Sequence, residues 1–335
     1  MRESLLTELA CPDCHGDFAL ADARIAAGQI AAGALACRGC GHRFPIEHGV
    51  PNFVAAGDRK DVIQTCSGFA RNWDEFNDVI LDNAALNDEL FRDWIAPVDP
   101  ESFRGQLLLE PGCGMGRWLR VAAGYGPRAL IGVDYSTVAY TAARNVRDLE
   151  NVHIVRADIL RLPLKKRLEM IYCLGVVHHT PDPALTFDRL VEALGPNGVL
   201  TVWVYGAENN GWITRLVSPL RRQVTSKLPH RLLRLLSKLL VLPLYGLAAA
   251  ATRVPLPYSE YLRYLRRYPY RYMTHIVYDH LVPEIAHYLP RAELDRWVEK
   301  HGLHAQVSSR NGNSWRLLAS RLAEALPVAL PKTGS

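Results

Sequence analysis

The feature that most constrains this chain is a glycine-rich turn, Glu110-Pro-Gly112-Cys-Gly114-Met-Gly116-Arg117, set directly behind the apolar run Leu107-Leu-Leu and ahead of an amphipathic stretch that begins at Trp118. Run, turn and stretch read as strand, tight bend and helix. Glycine tolerates backbone conformations and close ligand approach that a Cβ forbids, so three glycines at alternate positions point to a ligand lying on the backbone. A nucleoside is the first candidate. A dinucleotide site spaces its glycines G-x-G-x-x-G and seats a pyrophosphate on the helix N-terminus. Here the spacing is G-x-G-x-G, and Glu110 stands two residues ahead of the first glycine. A carboxylate at that place repels pyrophosphate and attracts an ammonium or a sulfonium.

Apolar runs at 129–133, 152–157 and 170–174 alternate with helical patterns, the signature of an α/β fold. The first of these runs ends at Asp134, about twenty residues beyond the glycines, where an acid suits the two hydroxyls of a ribose. Tyr135 beside it can flank a base. The second run leads into Asp158-Ile159, and the bland role for Asp158 is a helix N-cap. The third opens into Gly175-Val-Val-His178-His179. A helix at 184–194, a Gly-Pro-Asn-Gly turn at 195–198, a strand at 199–205, a helix at 291–301 and strands at 305–309 and 315–320 complete the expected series.

Taken in this order, the motifs resemble those of the class I S-adenosylmethionine (SAM)-dependent methyltransferases. The resemblance implies a Rossmann-like seven-stranded sheet with SAM as cofactor. It assigns Glu110, Gly112, Gly114, Gly116 and Arg117 to the first cofactor motif, Asp134 to the ribose, and Tyr135, Asp158 and Ile159 to the adenine. Leu174 and Gly175 are expected under the methionine portion, with His179 packed against the cofactor. Trp73 lies among aromatics at helical spacing, with core packing as its ordinary role and a lid over the methionine end as the sharper one.

Ahead of this domain, Cys11-Pro-Asp-Cys14 and Cys37-Arg-Gly-Cys40 are separated by twenty-two residues, a spacing suited to a two-knuckle zinc site. Four thiolates close a tetrahedral shell and leave no position for water, so the Zn2+ is structural. The continuation Gly41-His-Arg-Phe-Pro-Ile-Glu-His-Gly-Val-Pro-Asn-Phe resembles the zinc-ribbon proteins that activate translation-factor and tRNA methyltransferases. Cys66, Cys113 and Cys173 read as small packing residues.

A chain of 335 residues, 49% hydrophobic, can bury a large core. The start, Met1-Arg-Glu-Ser-Leu-Leu-Thr-Glu, lacks the uninterrupted apolar region of a signal peptide, so a cytoplasmic location is expected. The net charge of +5 is unevenly spread: residues 215–272 carry about +11, leaving about −6 elsewhere. Lys227, Arg231, Arg234 and Lys238 form one face of a basic amphipathic helix, while Leu228, Leu232, Leu235, Leu236 and Leu239 form the other. The apolar run 239–251 that follows contains Pro243 and Gly246 and is too short to span a bilayer. Three roles fit the segment: a solvated helix on the domain, peripheral contact with the inner membrane face through 215–272, or phosphate contact with RNA or a nucleotide-linked sugar. Tyrosines at 258, 261, 264, 268, 270 and 272 interleave with arginines and can stack on a sugar or a base.

The expected organisation is a zinc ribbon at 1–55, a helical lid at 60–100, the methyltransferase core at 101–205, a basic helical insertion at 206–272 and the rest of the core at 273–325. Methyl transfer from a sulfonium is an in-line displacement, so positioning supplies most of the catalysis. A base is needed only where the acceptor loses a proton early, and His178, His280, Asp279 and Tyr278 are the candidates. The run Leu-Gly-Val-Val-His after the fourth strand lacks the Asn/Asp-Pro-Pro-Tyr/Phe segment that family resemblance links to exocyclic amines of bases. On that ground a small-molecule, saccharide or lipid-linked acceptor ranks first and RNA second. A nicotinamide enzyme is disfavoured because no tyrosine has lysine four residues on. A non-catalytic, cofactor-binding partner protein is the remaining alternative.

Overall fold

The computed structural model describes residues 1–54, 60–165, 167–255 and 259–326. The linker expected at 55–60 lies, apart from Lys60, outside them, as does Tyr258. The chain opens with an antiparallel sheet of β1 (Phe18–Ala26), β2 (Gln29–Cys37), β3 (Arg43–Glu47) and β4 (Val50–Pro51), paired in sequence order. The Ala- and Gly-rich stretch between the knuckles makes the β1–β2 hairpin. This small unit does not stand alone. Leu5, Leu9, Phe18 and Ile30 share one apolar core with Val155 and Leu164 of the main domain, and Arg167 reaches back to the Glu8 carboxylate at 2.7 Å.

Three helices follow, α1 (Lys60–Glu75), α2 (Asn77–Leu81) and α3 (Ala84–Ile95). The βα alternation then runs β5 (Leu107–Pro111), α4 (Arg117–Ala123), β6 (Ala129–Asp134), α5 (Val138–Asn145), β7 (Val152–Arg156), β8 (Leu168–Leu174), α6 (Pro183–Ala193) and β9 (Leu194–Tyr205). After an excursion described below, α11 (Arg291–Lys300), β10 (His304–Arg310) and β11 (Ser314–Ser320) close a seven-stranded sheet in the order β10-β11-β9-β8-β5-β6-β7. β5 through β9 are parallel, and β11 joins β9 antiparallel. Both faces of the parallel part are covered, which is why its strands read as continuous apolar runs: Leu108 packs on one side, Leu107 and Leu109 on the other. The chain winds outward from β5 in both directions, and the crevice at the carboxyl ends of strands at such a switch point is where α/β sheets bind ligands.

One local expectation changes here. The Gly-Pro-Asn-Gly segment is no separate turn: pairing with β8 steps from Leu168–Leu194 to Met170–Val199, so residues 195–198 bulge within one strand. A Cβ on Gly198 would come within 2.6 Å of the Leu168 carbonyl oxygen, so the bulge needs glycine there.

The excursion between β9 and α11 contains α7 (Ser218–Gln223), α8 (His230–Ala250), α9 (Ser259–Leu265) and α10 (Tyr270–Leu281). Its central element corrects the sequence reading of two separate segments. The basic stretch and the apolar run are one helix of 21 residues, with Pro243 inside it, and by length and composition that helix is long and apolar enough to cross a membrane. Moreover, the side turned to the protein is Leu233, Ser237, Val241 and Ala248, while Leu232, Leu235 and Leu239 are more than half exposed. The amphipathic pattern left the direction of those leucines open, and α8 buries the narrower stripe beside them.

Candidate active site

Above the ends of β5, β6 and β8 lies a cavity of about 730 Å³, roofed by α1, α8, α9 and α10. Its floor is the glycine turn. Gly112, Gly114 and Gly116 have φ of +70°, +53° and +85°, the left-handed region that favours glycine. A Cβ on Gly112 would meet a Val176 methyl at 2.4 Å, and one on Gly114 would lie 3.6 Å from the Trp73 indole. The turn therefore carries bare backbone into the cavity, and a side chain at Gly114 would fill the gap beneath Trp73.

Acids mark the strand tips. Asp134 ends β6 with its carboxylate held by the Gly114 amide at 2.9 Å and by the amide and hydroxyl of Ser136 at 2.9 and 2.8 Å. Burial raises its pKa against these three donors. Oδ1 takes both Ser136 donors and Oδ2 only the Gly114 amide, so Oδ2 keeps a lone pair and the group is a fixed acceptor lining the cavity. Glu110 is buried, with Tyr172 donating to it at 3.0 Å, and burial pushes its pKa well above the carboxylate range. A cation placed beside it reverses that shift. Asp158 caps the Leu160 amide at 2.8 Å and, with Tyr135 and Ile159, lines the adjoining wall.

Arg117 crosses the cavity floor. Its guanidinium lies 3.7 Å from the Trp118 ring centroid and 5.6 Å from that of Trp73, and it donates to the Tyr272 hydroxyl at 2.6 Å. Among the described residues its Nε has no hydrogen-bond partner. Leu174, Gly175 and His179 line the same space, His179 with Nδ1 2.7 Å from the Ile285 carbonyl oxygen. Burial holds the His179 imidazole neutral, with its pKa down to about 3.

The four candidates for a base part company. Asp279 lines the cavity from α10, receives a hydrogen bond from Asn72 at 2.6 Å and lies 3.3 Å from His275 Nε2. Burial lifts its pKa to about 7, against the lowering by Asn72 and Arg117. His280 also faces the cavity, with Nδ1 2.9 Å from the Ile276 carbonyl oxygen, and burial lowers its pKa. His178 lies behind the wall, fully buried, its ring 3.9 Å from that of Tyr205. Tyr278 points the other way: its hydroxyl is 2.6 Å from His230 Nδ1 in a small cluster with Leu233 and Val282. These last two do not reach the cavity. Cys66 does, but burial pushes its thiol to about 12, which removes it as a nucleophile at neutral pH.

Of the lining residues that follow, Trp203, Tyr205, Tyr288 and Arg310 carry no sequence signal of their own. Trp94 and Trp203 pack at 4.3 Å between centroids beside Gly175, and Tyr205 stacks on Tyr288 at 5.4 Å. Arg310, buried on β10, is tied to Asp93 at 2.8 Å and lies over Tyr264. Only pairing of distant segments brings these groups together.

In the amino-terminal unit the Sγ atoms of Cys11, Cys14, Cys37 and Cys40 all lie within 4.8 Å of one another. The closest pairs, Cys14–Cys37 at 3.4 Å and Cys11–Cys40 at 3.7 Å, are far longer than a disulfide and near the edge of about 3.8 Å expected for a tetrahedron with Zn–S of about 2.3 Å. The amides of Cys40 and Gly39 point at Cys37 Sγ and bring that thiol down to about 6, so one of the four is poised as a thiolate. The donor set fits zinc.

A parallel sheet reversed at β5, a bare glycine turn and acids at the tips of β5, β6 and β7 define the class of SAM-dependent methyltransferases. The comparisons narrow this further. Residues 109–202 match the family described as a methyltransferase domain, and residues 2–49 match the Trm112p-like proteins, so this chain joins a methyltransferase domain to a Trm112p-like zinc module. Among curated relatives, the tRNA U34 carboxymethyltransferase of Pseudoalteromonas translucida (strain TAC 125) is 30% identical over 32% of this chain and 36% of its own length. That of Psychromonas ingrahamii (strain DSM 17664 / CCUG 51855 / 37) is 25% identical over 39% and 43%. The chain thus spans well under half the length of these relatives. Among solved structures, magnesium protoporphyrin IX methyltransferase from Synechocystis PCC 6803 with bound S-adenosylhomocysteine (SAH) matches at 13% identity over 78% of this chain and 98% of that one, with a TM-score of 0.46. A chain of the complex between the Haloferax volcanii Trm112 methyltransferase activator and its candidate methyltransferase matches at 15% identity over 78% and 97%, also with a TM-score of 0.46.

Proposed function

We propose that this protein transfers a methyl group from SAM to an RNA nucleoside. The observation that carries methyl transfer is the junction of Gly114 and Asp134, which places a bare backbone bend and an oriented carboxylate at the mouth of one crevice. SAM supplies an electrophilic methyl on a sulfonium. In this reading Asp134 accepts from the ribose hydroxyls, Asp158 and Ile159 meet the adenine with Tyr135 beside it, and Glu110 answers the amino group. Gly112, Gly114 and Gly116 give the ligand room, Leu174 and Gly175 lie beneath its methionine end, and Arg117, Trp73 and His179 bound that end. The aromatic wall of Trp94, Trp203 and Tyr205 keeps water from the reacting atoms.

Asp279 is the group best suited to take a proton from the acceptor, because it faces the cavity and its pKa of about 7 matches that task at neutral pH. His280 is the second choice. The RNA acceptor draws its support from the names of the curated relatives and from the Trm112p-like module, which together reverse the order of acceptors reached from the missing Asn-Pro-Pro-Tyr segment. That absence speaks against an exocyclic amine only. A ring carbon or an oxygen of a nucleoside remains compatible with it.

One observation favours a lipid-linked or other small acceptor as the second reading. Trp212 and Leu247 line the cavity and are also about half exposed on the outer surface, so the wall at that end is apolar on both sides. Labelled SAM offered with bulk tRNA, and separately with a ribonuclease-treated lipid extract, distinguishes the two. Label in tRNA that ribonuclease releases is the expected result, and label confined to the lipid phase would overturn the RNA acceptor.

A further inference from the structure

Among the described residues, nearly all of the exposed large apolar side chains fall between Trp212 and Tyr270. Soluble domains scatter such residues singly, and a contiguous patch marks an interface. On α8 they form a stripe, Leu232, Leu235, Leu239 and Leu242, each between 53% and 60% exposed, recurring at intervals of three and four on the side opposite Leu233 and Val241. At 1.5 Å per residue the helix is about 31 Å long. Arg231 and Lys238 flank the stripe, both exposed, and earlier in the same segment Leu216 and Leu220 are exposed too, with Arg215 and Arg222 exposed near them in sequence.

We propose that this face is a docking surface for an anionic lipid bilayer, with α8 lying in the plane of the interface. Three occupants were open, and charge selects among them. A second copy would set Arg231 and Lys238 against their own counterparts within a segment that carries about +11, a like-charge arrangement that costs stability. RNA would satisfy the cations but leave the leucine stripe in water. A bilayer with anionic headgroups answers both, since acyl chains take the leucines and headgroups take the arginines and lysines. The same surface reaches the cavity through Leu247 and Trp212, so docking brings the acceptor end of the site to the membrane. This inference goes beyond methyl transfer itself and does not depend on the acceptor being RNA.

The test is flotation of the full chain with vesicles of phosphatidylcholine alone and of phosphatidylcholine with phosphatidylglycerol, alongside sedimentation equilibrium without lipid and SAH titration. Binding to the anionic vesicles is expected, weaker at high salt, with little binding to neutral ones. Leu235→Glu/Leu239→Glu should weaken it at least about tenfold, as should Arg231→Glu/Lys238→Glu, with SAH affinity unchanged in both. Leu235→Gln/Leu239→Gln serves as a milder pair should the first fail to fold. No flotation of the wild type, or equal flotation of the wild type and the leucine variants, overturns the proposal. So does a dimer that the leucine variants convert to monomer, which would give the face to a second copy. SAH binding reports on the cofactor cradle separately, so loss of flotation with SAH binding intact would leave the methyltransferase reading standing.

Discussion

The Gly114 amide donates to the Asp134 carboxylate at 2.9 Å, so the middle glycine of the turn and the acid at the tip of β6 form one rigid element. Twenty residues apart in sequence, they fix the bend and the acceptor group relative to each other before any ligand arrives. Preorganisation of this kind lowers the cost of binding, because neither group has to be ordered by the ligand.

Gly112 should be intolerant of substitution. An added methyl would both meet Val176 at 2.4 Å and hold an L-residue at φ +70°. Gly112→Ala is expected to cost about 1–3 kcal/mol in thermal or denaturant unfolding and to weaken SAH binding. Adding Val176→Ala should recover part of the stability, since it removes the collision and leaves the backbone strain. No recovery would mean that Val176 is not the obstacle.

The Asp279 carboxyl gives two pH signatures. Its folded pKa, about 7, stands above that of an unfolded aspartate, about 3.9, so its protonated form is favoured in the native state. Its stabilising contribution is complete below pH 4 and is lost as pH rises through 7. Asp279→Asn should therefore flatten the decline in stability between those values. As a base the group works only when ionised, so kcat/KM should rise with pH to a plateau above about 7 and fall by about 10²–10⁴-fold in Asp279→Asn. A rate profile unchanged by the substitution would transfer the role to His280 or dispense with a base.

Trp73 overlies Gly114 and sits 5.6 Å from the Arg117 guanidinium. Trp73→Ala should weaken SAH binding about tenfold, and binding should quench the indole fluorescence of the wild type by an increment missing in the variant. An equal quench in both would make Trp73 a packing residue alone.

For the zinc module, intact protein should contain one zinc per chain. Removing it with a strong chelator, or replacing Cys37 with Ser, should melt the β1–β4 unit and expose Leu5, Leu9 and Ile30, because so small a core is stable only with its metal. Since that core is continuous with the main domain, the loss should also lower the temperature at which the rest unfolds. An unchanged melting curve after complete demetallation would contradict this.

The parts legible in the sequence were those where chemistry is local. The glycine turn, the acids at positions 110, 134 and 158 and the paired cysteine knuckles each announce a backbone requirement or a ligand set within a few residues. The helices of the excursion were less legible. A leucine-rich amphipathic pattern gives the period of α8 but not which stripe faces inward, and here the buried stripe contains Ser237 and Ala248 rather than the bulkier leucines. Pro243 suggested a break where the helix continues. Tyr278 and Asp279 are adjacent in sequence, yet α10 turns one toward His230 and the other into the cavity. Trp203, Tyr205 and Arg310 reach the site through sheet pairing, which no local pattern encodes.

The central claim is that the crevice above β5 and β6 seats SAM with Asp134 as an acceptor for its ribose. Calorimetric titration of the wild type and of Asp134→Ala with SAH, and of the wild type with oxidised and reduced nicotinamide dinucleotide, tests it most directly. The account predicts SAH binding by the wild type, at least about tenfold weaker binding by the variant, and no heat from the dinucleotides. SAH affinity untouched by the substitution, or tight dinucleotide binding in its place, would contradict it.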